Sequence, residues 1–155
     1  GFNTSLSWKG FDLSAIFAYS IGGYIYNRDI TMILHNGSLE GRDWSTEILR
    51  RWTPENRYTD VPALSTTSNN WNSASTRFLQ NNSYMRLKNL TLSYNLPKQL
   101  ISKLALSSVQ VFVQGDNLFT IHRNQGLDPE QGITGITYYR YPAMRTISGG
   151  INLSF

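Results

Sequence analysis

Alternation of apolar and polar residues along the end of the chain constrains the fold more than any other feature of the sequence. Over residues 147–155 the odd positions are apolar or glycine, and the even positions are small or polar. Successive side chains of a β-strand point to opposite faces, so this pattern predicts a strand with one apolar and one polar face. A helix would require apolar residues every three to four positions instead.

The same period of two recurs at four other places along the chain. Lys9 and Gly10 separate the first two of these segments and predict a tight turn, because glycine readily adopts the dihedral angles that such turns need. All the segments are compatible with antiparallel pairing. The five predicted strands are residues Phe2–Trp8, 13–19, 90–96, 109–121 and 147–155.

The connections between these strands are of two kinds. Residues 97–106 predict a short helix that begins with proline. Residues 26–83 and 122–142 are long, polar and rich in turn-forming residues. Within the first long segment, residues 29–35 and 43–52 predict helices. Short connections alternate with long ones, so we expect one rim of the sheet to be compact and the other to carry large loops.

Two architectures fit this pattern. An outer-membrane β-barrel has alternating strands, short turns at one rim and long loops at the other. A soluble β-sandwich also has alternating strands, and it would bury Trp8, Phe17 and Leu153 in one core. Aromatic residues near the predicted strand ends favour the barrel, because such residues form girdles at membrane interfaces. A closed barrel needs about eight strands or more, so we expect this chain to be part of one.

Composition excludes several classes of chemistry. The chain contains no cysteine and two histidines, which excludes a thiolate zinc site, a cysteine nucleophile and a histidine-rich metal site. It contains no glycine motif for nucleotide phosphates. The net charge of +4 is dispersed and does not indicate nucleic-acid binding. Asp128 and Glu130 are expected to be solvated loop acids. We expect neither an enzyme nor a cofactor.

Aromatic and basic residues in the long segment 26–83 are the candidate contact residues. Trp44, Trp52 and Trp71 could stack on sugar rings, or they could pin the loop against the rim of the barrel. Arg50 could meet an anionic ligand or lipid headgroup, or it could belong to a solvated basic face. The sequence leaves these alternatives open.

Six segments, in order, resemble the SusC/RagA family of TonB-dependent outer-membrane transporters. Residues 83–97 (SYMRLKNLTLSYNLP) resemble the signature strand of the family, and residues 111–120 (VFVQGDNLFT) resemble the strand that follows it. The other matching segments are an aromatic hairpin, a Trp-x-Pro-x-Asn element, a Gly-Leu-Asp-Pro-Glu loop and the terminal strand, at residues 8–13, 52–56, 126–130 and 141–155.

The resemblance implies an all-β, antiparallel transmembrane barrel of about 22 strands. Residues 1–155 would be its C-terminal part and supply roughly the last five strands, with long extracellular loops that carry short helices. The plug domain and the rest of the barrel would lie outside this chain. Phe155 resembles the terminal aromatic residue that the barrel-assembly machinery reads at the periplasmic rim.

The resemblance also implies a function in nutrient uptake. The transporter would import glycan or peptide oligomers across the cell outer membrane of a Gram-negative bacterium of the Bacteroidetes type. Its partners would be a SusD-like surface lipoprotein that acts as a lid, and TonB, which would act through a segment outside this chain. A soluble carbohydrate-binding β-sandwich module is the alternative from another class, and a passive porin segment is a third.

Two further expectations concern particular residues. Arg86 and Lys88 share the parity of Leu90 and Leu92, so both would point towards lipid, above the apolar band and near anionic lipopolysaccharide. The segment 26–83 exceeds the usual length of a connecting loop. We therefore expect it to cover the barrel mouth and contact the lid or the ligand.

Overall fold

The chain forms two compact units in a computed structural model, which describes residues 1–37, 39, 41–68, 73–102, 106–124, 128–130 and 134–155. The sheet unit comprises Gly1–Gly22, Asn82–Pro129 and Pro142–Phe155. The loop unit comprises Gly23–Asn81 and Glu130–Tyr141.

One antiparallel sheet of five strands makes up most of the sheet unit. The five strands are β1 (Phe2–Trp8), β2 (Phe11–Ser20), β5 (Tyr84–Asn95), β6 (Ser108–His122) and β8 (Thr146–Ser154). Each strand pairs with its neighbour in the order β1-β2-β5-β6-β8, so β1 and β8 lie at the two ends of the sheet. All five predicted strands are confirmed, and β2, β5 and β6 are longer than predicted.

The predicted tight turn between β1 and β2 is also present. Trp8 pairs with Phe11 across it. Lys9 and Gly10 both have positive φ angles, 47° and 89°. Two consecutive residues with positive φ are the mark of the hairpin turn whose twist matches that of the strands.

The pairing register of the strands places the apolar side chains on one face of the sheet. Across its middle, Ala15 lies opposite Leu90, Leu90 opposite Gly115 and Gly115 opposite Ile147. This apolar face is open: Ile147 is 72% exposed. Such a face needs an apolar environment, because burial of apolar surface is what stabilises it.

The sandwich alternative is wrong for this chain. It requires Trp8, Phe17 and Leu153 to be buried in one core. Trp8 and Leu153 are 63% and 52% exposed, and Phe17 is only half-buried. Phe17 instead stacks on Phe2 of the neighbouring strand, with ring centroids 4.5 Å apart.

Polar side chains form a continuous hydrogen-bond ladder across the opposite face. Asn152 Nδ2 donates to Gln110 Oε1 (3.1 Å), and Gln110 Nε2 donates to Asn95 Oδ1 (3.1 Å). Asn95 Nδ2 donates to Asp12 Oδ2 (2.7 Å), and Ser7 donates to the other oxygen of the Asp12 carboxylate. The ladder touches all five strands, so the polar groups of this face satisfy one another sideways.

A β-bulge in β5 reverses the parity of its first half. Relative to β2, Ile16 pairs with Asn89 and Phe17 with Leu87, so the strand register skips Lys88. Residues before Lys88 are therefore shifted by one position, and a shift of one moves side chains to the other face. The expectation that Arg86 points towards lipid is wrong: Arg86 is buried and lies on the polar face.

The bulge explains the Gly-Asp-Asn-Leu-Phe run in β6. Two residues, Asn117 and Leu118, occupy the place opposite Lys88. Asn117 has a positive φ of 51°, and its side chain donates to Met144 O (3.2 Å). Leu118 folds back over Gly115, where an added Cβ would lie 2.6 Å from Leu118 Cδ2. A side chain at position 115 would therefore require Leu118 to move.

Replacing Gly115 with alanine is expected to destabilise the folded sheet unit by about 1–3 kcal/mol, the usual cost of overpacking. The measurement is urea-dependent unfolding of the full-length protein in lipid vesicles. Gly115→Ala combined with Leu118→Ala should recover most of the loss, because the second change removes the clash. Equal losses for the single and double variants would contradict the packing of Leu118 over Gly115.

The loop unit has a small core and a second sheet. Its buried residues include Ile25, Leu34, Ile48, Val61 and Phe78. The strands of this sheet are β3 (Tyr24–Asn27), β4 (Leu79–Asn81) and β7 (Ile136–Thr137). Their order is β4-β3-β7, and β3 and β7 are parallel, a pairing that the sequence did not predict.

The helices are shorter than the sequence predicts. Helix α1 (Arg28–Ile33) begins where Asn27 accepts a hydrogen bond from Ile30 N. The helix predicted for residues 43–52 is a 3-10 helix, Thr46–Arg50, and a second one covers Thr76–Phe78. Arg51 is extended at the end of the first, ahead of Thr53 and Pro54.

Helix α2 (Lys98–Ile101) covers the first part of the helix predicted over residues 97–106. Residues 103–105 lie outside the described part of the chain. No helix within the described ranges is long and apolar enough to cross a membrane.

Candidate functional site

The Trp-x-Pro-x-Asn element is a closed loop held by one asparagine. Asn56 Nδ2 donates to the carbonyls of Arg50 (3.0 Å), the last residue of the 3-10 helix, and of Arg51 (3.3 Å), the residue after it. Asn56 N donates to Thr53 O (3.0 Å), and Thr53 N donates back to Asn56 O (3.2 Å). The asparagine of the motif therefore has a structural role, because it satisfies carbonyls that a helix end leaves free.

This closed loop presents two of the candidate residues on its surface. Trp52 N donates to Val61 O (2.8 Å), which fixes the backbone, while the Trp52 residue remains 44% exposed. The Arg50 side chain is 61% exposed and forms long ion pairs with Glu47 (3.6 Å) and Asp60 (3.8 Å). Exposed pairs of this length contribute little to stability. Both side chains are therefore accessible to a ligand or partner.

Trp44 has one edge on the core and one edge in solvent. Its ring meets the buried His35 ring edge-on, with centroids 5.1 Å apart, and the residue is 42% exposed. Packing against His35 holds the indole in place, as expected for a residue that pins a loop, and leaves surface for contact. Trp71, the fourth candidate, lies outside the described residues.

An apolar cavity of about 440 Å³ in the loop unit was not predicted from the sequence. Tyr26, Met32 and Ile136 supply apolar lining, and Arg28 supplies the charge. The Arg28 guanidinium stacks over the Tyr138 ring at 4.7 Å. The cavity depends on the parallel pairing of β3 with β7, which brings residues far apart in sequence together, so no local pattern could have revealed it.

A buried ion pair lies on the polar face of the sheet unit. Arg86 Nη2 donates to Asp128 Oδ1, and the two side chains are 4% and 8% exposed. Arg86 Nε also donates to Thr120 Oγ1 on β6 (2.9 Å). The expectation that Asp128 is a solvated acid is therefore wrong. Sequence reasoning missed the pair because the bulge at Lys88 hides the face on which Arg86 lies.

Phe155, the candidate assembly signal, is 92% exposed at the end of β8. Its carbonyl accepts a long hydrogen bond from Ser107 Oγ (3.4 Å). Nothing else in the described chain holds its ring, so the aromatic group is accessible. Within the described residues, no group of three or more His, Cys, Asp or Glu side chains is placed to bind a metal ion.

Two curated relatives from Formosa agariphila align with the whole chain. TonB-dependent receptor P3 is 34% identical over 166 residues, and TonB-dependent receptor P26 is 30% identical over 165 residues. Each alignment covers 100% of this chain and 16% of the relative. The chain thus spans about a sixth of the length of these receptors.

Solved structures of the RagAB system share the fold. The RagAB peptide transporter superimposes with a TM-score of 0.87 at 35% identity. The RagAB peptide importer in its closed-closed state superimposes with a TM-score of 0.85 at 34% identity. Each match covers 99% of this chain and 16% of the compared chain. These relatives are receptors and transporters rather than enzymes.

No family model matches the chain. The matches nevertheless support the resemblance seen in the sequence, and they extend over nearly every residue of the chain. The chain belongs to the SusC/RagA-type TonB-dependent receptors, and its sheet corresponds to a portion of their β-barrel.

Proposed function

We propose that this chain forms the C-terminal part of the barrel wall, with its loops, in an outer-membrane importer of peptide or oligosaccharide oligomers. The importer works with a SusD-like surface lipoprotein as its lid. TonB supplies the energy through a segment outside these residues. The transporter lies in the outer membrane of a Gram-negative bacterium of the Bacteroidetes type.

The open apolar face of the five-stranded sheet is the observation that carries this proposal. That face matches the hydrocarbon of a bilayer, and the hydrogen-bonded polar face matches a water-filled lumen. Strands β1 and β8 each have one neighbour in the described sheet. In a membrane every backbone N–H and C=O needs a partner, so further strands of the barrel must pair with these two edges.

The side chains of the loop unit support a role in contact with the lid or the ligand. It has its own buried core, so it can present side chains in fixed positions rather than as a mobile tail. Trp44 and Trp52 are held by the backbone or by a core residue and still expose much of their surface. Rigid aromatic side chains of this kind are common anchors in recognition sites.

Peptide is the first substrate class to test. RagAB, with which the chain shares fold and a third of its residues, is a peptide importer. The experiment compares cells with and without the full-length gene for uptake of labelled peptide oligomers and of labelled oligosaccharides. Saturable, TonB-dependent uptake of either class supports the proposal, and the class taken up identifies the substrate. Uptake of neither would contradict it.

Replacing Trp52 with alanine is expected to raise the half-saturation concentration for uptake about tenfold, the typical effect of truncating an aromatic anchor. Tyr58→Ala is the matched control, because Tyr58 is a fully exposed aromatic residue in the same loop. Electrophoretic mobility before and after heating shows that both variants fold. An unchanged half-saturation concentration for Trp52→Ala would remove Trp52 from the contact surface.

A further inference from the structure

The chain leaves the sheet unit and returns to it at two prolines. Pro129 ends one part of the sheet unit, and Pro142 begins the next. The intervening segment Glu130–Tyr141 belongs to the loop unit, where it supplies strand β7. We call this segment the excursion. We call Asp128 and Pro129, just before it, and Pro142 and Ala143, just after it, its neck.

One carboxylate closes the neck. Asp128, just before the excursion, accepts a hydrogen bond at Oδ2 from Ala143 N (2.7 Å), just after it. Its other oxygen, Oδ1, accepts from Arg86 of β5. A single side chain therefore joins both ends of the excursion to each other and to the sheet.

Arg86 links Asp128 to two strands of the sheet by hydrogen bonds. Its Nε donates to Thr120 on β6 while its Nη2 holds Asp128, so the guanidinium bridges two strands and the neck. The planar guanidinium fixes the directions of these bonds, which a lysine could not do. The bulge at Lys88 places Arg86 on the face where it can reach Asp128.

An open cavity of about 300 Å³ adjoins the pair, lined by Arg86, Asp128 and both prolines of the neck. Pro129 is itself fully buried, so its packing and the ion pair together hold this part of the neck. The pair is also almost fully buried, where a satisfied ion pair is strong and the loss of either partner is costly.

We propose that Arg86 and Asp128 are positioning residues for uptake: they clamp the neck and so hold together the two points at which the excursion leaves and re-enters the sheet unit. The importance of this clamp for transport rests on the proposed function. The clamp itself is a property of the folded protein and can be tested without any substrate.

Amide hydrogen exchange of the full-length transporter tests the clamp. Asp128→Asn keeps the size of the side chain and removes its charge. Exchange in residues 130–141 is expected to accelerate roughly tenfold, while exchange in β5 and β6 stays unchanged. Asp116→Asn is the matched control, because the Asp116 carboxylate lies on the same face and bonds within the sheet, to Asn89 (2.8 Å) and Gln114 (3.2 Å).

Arg86→Gln should produce the same local effect, and the double variant should add little to either single change. Should Arg86→Gln fail to assemble, Asp128→Asn carries the test alone, since Asp128 lies outside the strands. Unchanged exchange in residues 130–141 of Asp128→Asn would overturn the proposal. So would acceleration spread evenly over the sheet, because that would indicate a general loss of stability.

Transport provides the second readout. In Asp128→Asn the half-saturation concentration for uptake should rise roughly fivefold or more, with the maximal rate retained. A wild-type protein that takes up no oligomer would overturn the proposed function while leaving the exchange result interpretable. Normal uptake together with accelerated exchange would show that the clamp exists and would overturn its role in positioning.

Discussion

Replacing Leu90 with arginine in the full-length transporter is expected to destabilise the folded barrel by about 2–4 kcal/mol, the cost of a basic residue near the bilayer midplane. Leu90 lies in the middle of β5 on the apolar face, between Ala15 and Gly115. Urea-dependent folding into lipid vesicles measures the loss.

The adjacent residue provides the matched control. Thr91 is on the same strand and faces the polar side, where it pairs in register with Ser14 and Gln114. Because a lumen-facing arginine remains hydrated, Thr91→Arg should cost far less than Leu90→Arg. Similar losses for the two variants would contradict the assignment of the two faces.

Replacing Phe78 with alanine is expected to cost the loop unit about 3–5 kcal/mol of local stability, as is usual for truncation of a buried phenylalanine. Phe78 is 1% exposed, and its ring meets Tyr26 of β3 edge-on at 6.1 Å between centroids. The lost packing should appear as faster amide exchange in β3 and β4 of the loop unit.

Leu49→Ala is the control for Phe78→Ala, because Leu49 belongs to the same unit but is exposed. Its truncation should leave exchange in the loop unit unchanged within experimental error. Exchange rates in β3 that are equal for Phe78→Ala and the wild type would mean that Phe78 does not hold this unit together.

The fold explains the structural roles of several residues in the family motifs. Gly115 makes room for Leu118, Asn117 adopts the left-handed conformation at the bulge, and Asn56 closes the loop that presents Trp52. Asp128, in the Gly-Leu-Asp-Pro-Glu segment, joins the neck of the excursion to the sheet. These residues stabilise the scaffold, which explains why the motifs identify the family without identifying a substrate.

Local sequence patterns were sufficient for the five strands of the larger sheet, for most of their faces and for the tight turn. A period of two depends only on the geometry of one strand, so Ile151 and Asn152 reveal their faces without any partner strand. The pair Lys9-Gly10 likewise encodes its turn through the dihedral preferences of the residues themselves. The family was recognisable because its motifs lie in such local elements.

Only the tertiary structure decided which distant residues meet. The bulge at Lys88 arises from pairing with β2 and β6, and it places Arg86 on the face opposite to the one that simple counting gives. The clamp to Asp128 and the parallel pairing of β3 with β7 join segments separated by long loops. Such contacts depend on the path of the whole chain, because no neighbouring residue carries a signal for a partner far along the sequence.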